Sequence, residues 1–243
     1  MQRYFVDQIL SIDENFNCTD EQLRHMKKVM RYRNGTLVTI IDKEAHVYTS
    51  TIVDIEKGLI HTDHLIEEDH ELDVDVTLIY CLPKSDKFEL VLQKTTEMGV
   101  NRIVPMLSRR CVIKSDKDTF KKKYPRYERI IQEACEQSYR NRKPVLEGLI
   151  KLKDLARYLS DVNIVAYEEC SKNGEKNVLF ETLNSQYKTI TIIVGPEGGF
   201  DREEIDYMES LGIKACSLGK RILRSETAPL YLMSVIGYTR ELM

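Results

Sequence analysis

Residues Val74–Leu82 form a near-continuous apolar run, interrupted only by Asp75 and Thr77. A run of this length without strict alternation suits a strand covered on both faces. Such a strand demands helices on either side of a mostly parallel sheet. The residues that follow supply them. Phe88, Val91, Leu92, Thr95 and Met98 recur at helical spacing up to Gly99, and Arg102–Met106 reads as a strand. Tyr124, Tyr127, Ile130, Ile131, Ala134 and Cys135 make one stripe of a helix over Phe120–Ser138. Val162–Tyr167, Ile190–Val194 and Ala215–Leu218 are further strands. Between the last two lies a helix opened by Asp201 with Glu204 three residues on, a capping-box start. Ser225–Leu242 reads as a final helix.

The first seventy residues follow another pattern. Leu23, Met26, Val29 and Met30 mark one helix over Asp20–Met30, with Thr19 or Asp20 as its N-cap. After the Asn34-Gly35 turn come β-branched runs at Thr36–Ile41, Val47–Val53 and Leu59–Thr62, which predict a compact β-barrel. The acidic stretch Glu67-Glu68-Asp69-His70-Glu71 reads as a solvated linker. The chain therefore divides into a small β-domain at 1–70 and a larger α/β domain at 71–243.

Composition removes several function classes. At 42% hydrophobic and 31% charged residues, the chain can bury a core and is not a disordered polymer. No apolar run approaches the roughly 20 residues of a membrane span, and the start carries no long apolar segment of a signal peptide. A cytoplasmic protein without a membrane partner is expected. Six cysteines without a C-x-x-C pair predict free thiols. All five histidines lie within the first seventy residues, so the larger domain has no histidine base, and no metal is expected. The net charge of −3 hides an asymmetry: Lys43–Asp75 holds two basic and ten acidic residues, whereas Arg109–Lys143 holds twelve basic and five acidic. A concentrated positive face suits a polyanionic partner even when the total is near neutral.

Ligands of open α/β sheets bind beyond the carboxyl ends of strands. Two loops sit there. Gly195-Pro196-Glu197-Gly198-Gly199-Phe200 follows one strand, and Gly219-Lys220-Arg221-Ile222-Leu223-Arg224-Ser225-Glu226-Thr227 follows another. Glycines let the backbone approach a ligand closely, and the second loop is rich in groups that suit a substrate. Neither a phosphate loop nor a dinucleotide fingerprint is present.

Together these loops resemble the paired signature of SPOUT-class methyltransferases, specifically the 16S ribosomal RNA uridine-N3 methyltransferase (RsmE) family. Arg3-Tyr4-Phe5, His25 through Arg31 and Gln93-Lys94-Thr95-Thr96-Glu97-Met98-Gly99-Val100 resemble the same family, so the likeness spans nearly the whole chain. One departure is Gln137-Ser138-Tyr139-Arg140-Asn141-Arg142, where family members often carry a glycine between the Gln and the Arg.

The resemblance implies a C-terminal trefoil-knot domain and an N-terminal PUA-like β-barrel that grips RNA. It implies S-adenosylmethionine as cofactor, held by Val194, Gly195, Pro196, Glu197, Gly198 and Gly199, by Leu218, Gly219, Ile222, Leu223 and Arg224, and by Tyr167 and Glu168 alongside. It further implies a homodimer that methylates N3 of one uridine in the decoding region of 16S ribosomal RNA, free or in the small subunit. Uridine N3 is a weak nucleophile until its proton leaves, so a base or a cation must favour the anion. Arg224 is the first choice for that cation. Glu226 or Glu197 could take the proton, the alternative for each being a helix cap or a brace. For RNA contacts the candidates are Arg3, Arg109, Arg110, Arg140, Arg142 and Lys143, arginine being suited to bidentate phosphate binding. Two competing expectations are a knotted RNA-binding protein without catalysis and a SPOUT enzyme acting on transfer RNA or a ribose 2′-hydroxyl.

Overall fold

The computed structural model describes residues 2–84, 86–112, 117–172 and 177–243. The chain divides into two compact units, Met1–Glu71 with Cys135–Arg142, and Leu72–Ala134 with Lys143–Met243.

In the first unit, β1 (Arg3–Phe5), β2 (Asn15–Asn17), β3 (Leu37–Ile41), β4 (Val47–Asp54) and β5 (Leu59–Ile66) form one sheet in the order β1-β3-β4-β5-β2. Only β1 and β3 run parallel; the other pairs are antiparallel. Register shifts at Thr49/Ser50 and Ile52/Asp54 let β4 and β5 bend, as bulges do, and the sheet curls around Tyr4, Phe16, Met26, Val38, Ile40, Tyr48, Ile52 and Ile60. In place of a closed barrel, the ladder ends at β1 and β2.

Helix α1 (Asp20–Arg24) is capped by Thr19. The Thr19 hydroxyl accepts from Gln22 N at 3.2 Å, and Gln22 Oε1 accepts from Thr19 N at 3.0 Å. Gln22 Nε2 also donates to Phe5 O at 2.7 Å, which ties the helix to β1. The expected helix to Met30 is realised as α1 followed by a wider turn over His25–Val29, closed by Met30 N donating to His25 O at 3.0 Å.

The acidic stretch is solvated only in part: Glu67, Asp69 and His70 are exposed, whereas Glu68 and Glu71 turn inward. Glu71 accepts from Arg140 Nε at 2.9 Å, from Asn141 N at 2.8 Å and from Arg142 N at 3.1 Å. Glu68 pairs with Arg3, whose Nη1 also donates to Tyr139 O at 2.6 Å. Opposite charges and backbone N–H groups draw these carboxylates inward, because a buried guanidinium must be paired. Tyr139, at φ 64°, presents its carbonyl to Arg3 from a left-handed backbone that glycine would adopt more easily.

In the second unit, β6 (Asp75–Cys81), β7 (Arg102–Leu107), β8 (Val145–Leu146), β9 (Ile150–Lys151), β10 (Val162–Ala166), β11 (Thr189–Val194) and β12 (Lys214–Cys216) form a wholly parallel sheet. The order is β12-β10-β11-β6-β7-β8, with β9 also on β7. Leu78, Ile79, Tyr80 and Cys81 on β6 and Ile190, Ile192 and Ile193 on β11 are wholly buried, as the uninterrupted apolar runs require. Helices α2 (Lys87–Glu97), α3 (Lys117–Gln137), α4 (Glu168–Lys172), α5 (Val178–Leu183), α6 (Arg202–Ser210) and α7 (Thr227–Glu241) complete the order. No helix among the described residues is long and apolar enough to cross a membrane.

Candidate active site at the ends of three strands

Strands β12, β10 and β11 are neighbours, so the loops beyond their carboxyl ends converge. β10 delivers Tyr167 and Glu168; Tyr167 N donates to Cys216 O at 3.0 Å and so couples this turn to β12. β11 delivers Gly195–Gly199. Phe200 then turns back into the core, and Asp201 caps α6, accepting from Glu204 N at 2.9 Å. Two positions in these loops need glycine. Gly199 has φ 66°, and a Cβ there would lie 2.7 Å from Glu168 Oε1. Gly219 has φ 103°, held by its N–H donating to Ser217 Oγ at 3.1 Å.

The three loops enclose a cavity of about 550 Å³, within the range of small-ligand sites. Every residue expected at the cofactor site lines it except Gly198: Tyr167, Glu168, Val194, Gly195, Pro196, Glu197, Gly199, Leu218, Gly219, Ile222, Leu223 and Arg224. Gly198 instead turns its carbonyl to Arg110 Nη1 at 3.0 Å. Ala166, Ser171, Ser217, Lys220, Arg221, Ser225 and Ala228 complete the wall, together with Lys87. Ile222 is 83% exposed, an apolar side chain with little to cover it on a loop bordering the cavity.

The family described as "RNA methyltransferase domain" matches residues 70–237, and that described as "RNA methyltransferase PUA domain" matches 19–63. The ribosomal RNA small subunit methyltransferase E of Bacillus subtilis is 34% identical over 252 residues, covering 100% of this chain and 98% of that protein. This chain belongs to the ribosomal RNA small subunit methyltransferase E family. The family's protein from Mesomycoplasma hyopneumoniae is 33% identical, covering 96% of this chain and 98% of that one. Among solved structures, the family's Neisseria gonorrhoeae protein bound to S-adenosyl methionine superposes with a TM-score of 0.86 at 27% identity, covering 97% of this chain and 96% of that one. A putative methyltransferase from Legionella pneumophila in complex with the cofactor SAM gives 0.86 at 27% identity, covering 96% of each chain.

In this family member, Lys87 is the charged site residue that sequence reasoning missed, beside the smaller wall residues Ala166, Ser171 and Ser217. It opens α2, and its Nζ lies 3.0 Å from Glu226 Oε2 and 3.4 Å from Glu197 Oε1. Glu197 also accepts from Lys84 N at 3.0 Å. Burial works against the charge on both glutamates. The backbone N–H of Glu226 itself and the Lys87 ammonium outweigh burial at Glu226, and Lys84 N–H, the Glu197 N–H and Lys87 do so at Glu197. Both are held below the ordinary carboxylate range, and the hydrogen bond that Lys87 donates to Glu226 pushes Lys87 up. Carboxylates so stabilised are poor proton acceptors, and the geometry makes them clamps that join both loops to α2.

Arg224 differs. It is exposed on the cavity wall, and among the described residues its guanidinium has no ion-pair or hydrogen-bond partner. Its carbonyl accepts from Thr227 N at 2.9 Å and Ala228 N at 3.1 Å, which fixes its backbone at the start of α7.

The expected RNA-binding residues scatter. Arg3 is 1% exposed and Arg140 is 2% exposed, both inside the N-terminal unit and committed to Glu68 and Glu71. A guanidinium so enclosed has no path to a phosphate, and in this fold both side chains hold the unit together. Arg109 pairs with Asp201 at 3.3 Å and Glu203 at 2.5 Å, and these acids push its pKa up. Arg110, Arg142 and Lys143 are exposed. Among the described residues no three His, Cys, Asp or Glu side chains group as metal ligands do.

Proposed function

We propose that this chain is an S-adenosylmethionine-dependent ribosomal RNA methyltransferase that acts on N3 of one uridine in 16S ribosomal RNA, as free RNA or within the small subunit. The observation that carries the reading is a cavity built from the two glycine loops with an unpaired arginine on its wall. The relatives' names and their SAM-bound structures support the same reading.

The residues present fit the cofactor. Gly199 leaves room beside Glu168 that any Cβ would fill, and Leu218, Ile222, Leu223 and Ala228 offer the apolar walls a purine ring needs. Bound there, S-adenosylmethionine supplies an electrophilic methyl group on a sulfonium. The chain's task is to present a uracil whose N3 has lost its proton. Arg224, fixed at its backbone and unpaired at its head, stabilises the negative charge that spreads over the uracil carbonyls. Glu197 and Glu226, already ionised and shared with Lys87, hold the loops in register, and the proton leaves to solvent or a water in the site.

The order of the loops around β10, β11 and β12 supports a trefoil knot in the larger domain, and the reading extends, by the resemblance of the two loops to SPOUT enzymes alone, to a homodimer acting in the cytoplasm. Residues 1–70 serve to grip RNA and 71–243 to transfer the methyl group. On the larger domain Arg110 and Lys143 are the candidates for backbone phosphates, with Arg109 available where phosphate displaces Glu203; Arg142 is the exposed candidate from the segment grouped with the N-terminal unit. Nucleoside mass spectrometry of ribosomal RNA from a strain lacking the protein tests the proposal. Loss of one base-methylated uridine from 16S RNA is expected. An unchanged map would point to an RNA-binding protein without catalysis, and loss of a transfer-RNA or ribose methyl to another substrate.

A further inference from the structure

With Arg3 and Arg140 enclosed, the N-terminal unit must meet a polyanion by other means, and its charge is against it. Residues 1–71 contain eight Lys and Arg against fourteen Asp and Glu. Five of those eight cations fall within one decapeptide that has no acid at all, Arg24-His25-Met26-Lys27-Lys28-Val29-Met30-Arg31-Tyr32-Arg33.

The structure turns this decapeptide into a surface. Met26 is buried and anchors the wide turn that follows α1, and Tyr32 N donates to Met26 O at 2.9 Å. Around that anchor Arg24, Lys27, Lys28, Arg31 and Arg33 are all exposed, and Val29 between them is 65% exposed. Lys27 is held by Glu56 at 2.5 Å. Among the described residues the side chains of Arg24, Lys28, Arg31 and Arg33 have no ion-pair or hydrogen-bond partner. Two backbone features are uncommon for such a segment. The turn over His25–Val29 uses the i to i+5 hydrogen bond, and Arg31 has φ 55°. Wide helical turns and non-glycine residues in the left-handed region both cost energy and gather at functional surfaces.

We infer that the exposed face of Arg24–Arg33 is the phosphate-binding surface through which the N-terminal unit holds its RNA. This inference rests on the proposed function and names the contact residues on the smaller unit. At physiological salt, charges are screened beyond about 8 Å. Acids farther away than that do little to cancel a cluster that touches phosphate directly; Asp20 and Glu21, on the short helix that carries Arg24, lie nearer and leave Lys28, Arg31 and Arg33 as the stronger contacts. Arginines at 24, 31 and 33 offer forked donors to phosphate oxygens, and Lys28 adds a point charge. The contact is to the backbone, so it supplies grip and orientation, not sequence choice.

The test is binding of a 16S ribosomal RNA transcript across a salt series, with the wild-type chain, the double variant R31Q/R33Q, and E56Q. Neutralising two phosphate contacts should lower the slope of log affinity against log salt by about 1.5 to 2. The KM for RNA should rise about tenfold or more while kcat and S-adenosylmethionine binding stay at wild-type values. E56Q frees Lys27 and should bind RNA more tightly, an effect that loss of a merely structural ion pair would not give. R31K should keep most of the binding. If R31Q/R33Q, folded by circular dichroism, retains the wild-type affinity and slope while the wild-type chain methylates the RNA, this inference is wrong and the proposed function stands. A wild-type chain that neither binds nor methylates the transcript overturns both.

Discussion

Arg140 and Arg224 are the same side chain put to opposite uses. Arg140 is enclosed at 2% exposure and spends its donors on Glu71, whereas Arg224 stands on the wall of a cavity with its guanidinium unpaired. The difference lies in what the neighbours demand. Glu71 also collects the backbone N–H groups of Asn141 and Arg142, so Arg140 completes a buried network whose other members are already fixed. Among the described residues no acid pairs with Arg224, and Glu226, two residues on, is paired with Lys87 instead. An arginine left unpaired beside a cavity has charge to give to a ligand; one locked to a buried glutamate has none.

The comparison can be broken by removing its members in turn. Glu71→Ala should have the largest effect, since it strands a buried guanidinium; about 3–5 kcal/mol of stability is expected to go, read as a lowered midpoint in urea. Arg140→Met, which removes the charge and keeps the volume, should cost less. Arg224→Ala should leave stability and S-adenosylmethionine affinity near wild type and cut turnover by about 10²–10³-fold, about 3–4 kcal/mol of transition-state stabilisation. If turnover survives, the contrast between the two arginines is false. Gly199→Ala places a Cβ against Glu168 at a backbone angle alanine resists, so cofactor affinity should fall by about ten- to a hundredfold in calorimetry.

The smallest effect sharpens the role of the glutamates. Lys87→Met should relax the hold on Glu226 and Glu197 and raise their pKa values toward the ordinary range. Both are depressed in the fold, so their stabilising contribution is present above the unfolded carboxylate pKa and fades as pH falls through the lower folded values. The wild type and Lys87→Met should therefore differ in thermal midpoint at pH 7 and converge as pH drops below about 4. A gap that is constant across this range would mean that Lys87 acts by packing alone.

Much of the larger unit was legible because parallel strands buried on both faces leave long apolar runs, and β6 and β11 lie where those runs are. The two loops were legible because glycines at close approaches and a capping box at Asp201 are local signals. Strands β2, β8 and β9, two or three residues each, are too short to carry a period. The joining of Lys87 to Glu226 was hidden for another reason: a lysine at a helix start looks solvated until the fold brings a partner from far along the chain. Likewise nothing local separates an arginine bound for the interior from one bound for RNA. Arg3 and Arg140 were expected at RNA because arginine suits bidentate phosphate binding, and the acids that draw them inside, Glu68 and Glu71, read as a linker.

The most direct test combines purified protein, 16S ribosomal RNA and S-adenosylmethionine, with the nucleosides then resolved by mass spectrometry, for the wild-type chain and Arg224→Ala in parallel. The account predicts one N3-methyluridine per RNA from the wild type and almost none, at equal time and cofactor saturation, from the variant. Methylation at another atom, or equal yields from both proteins, would contradict it.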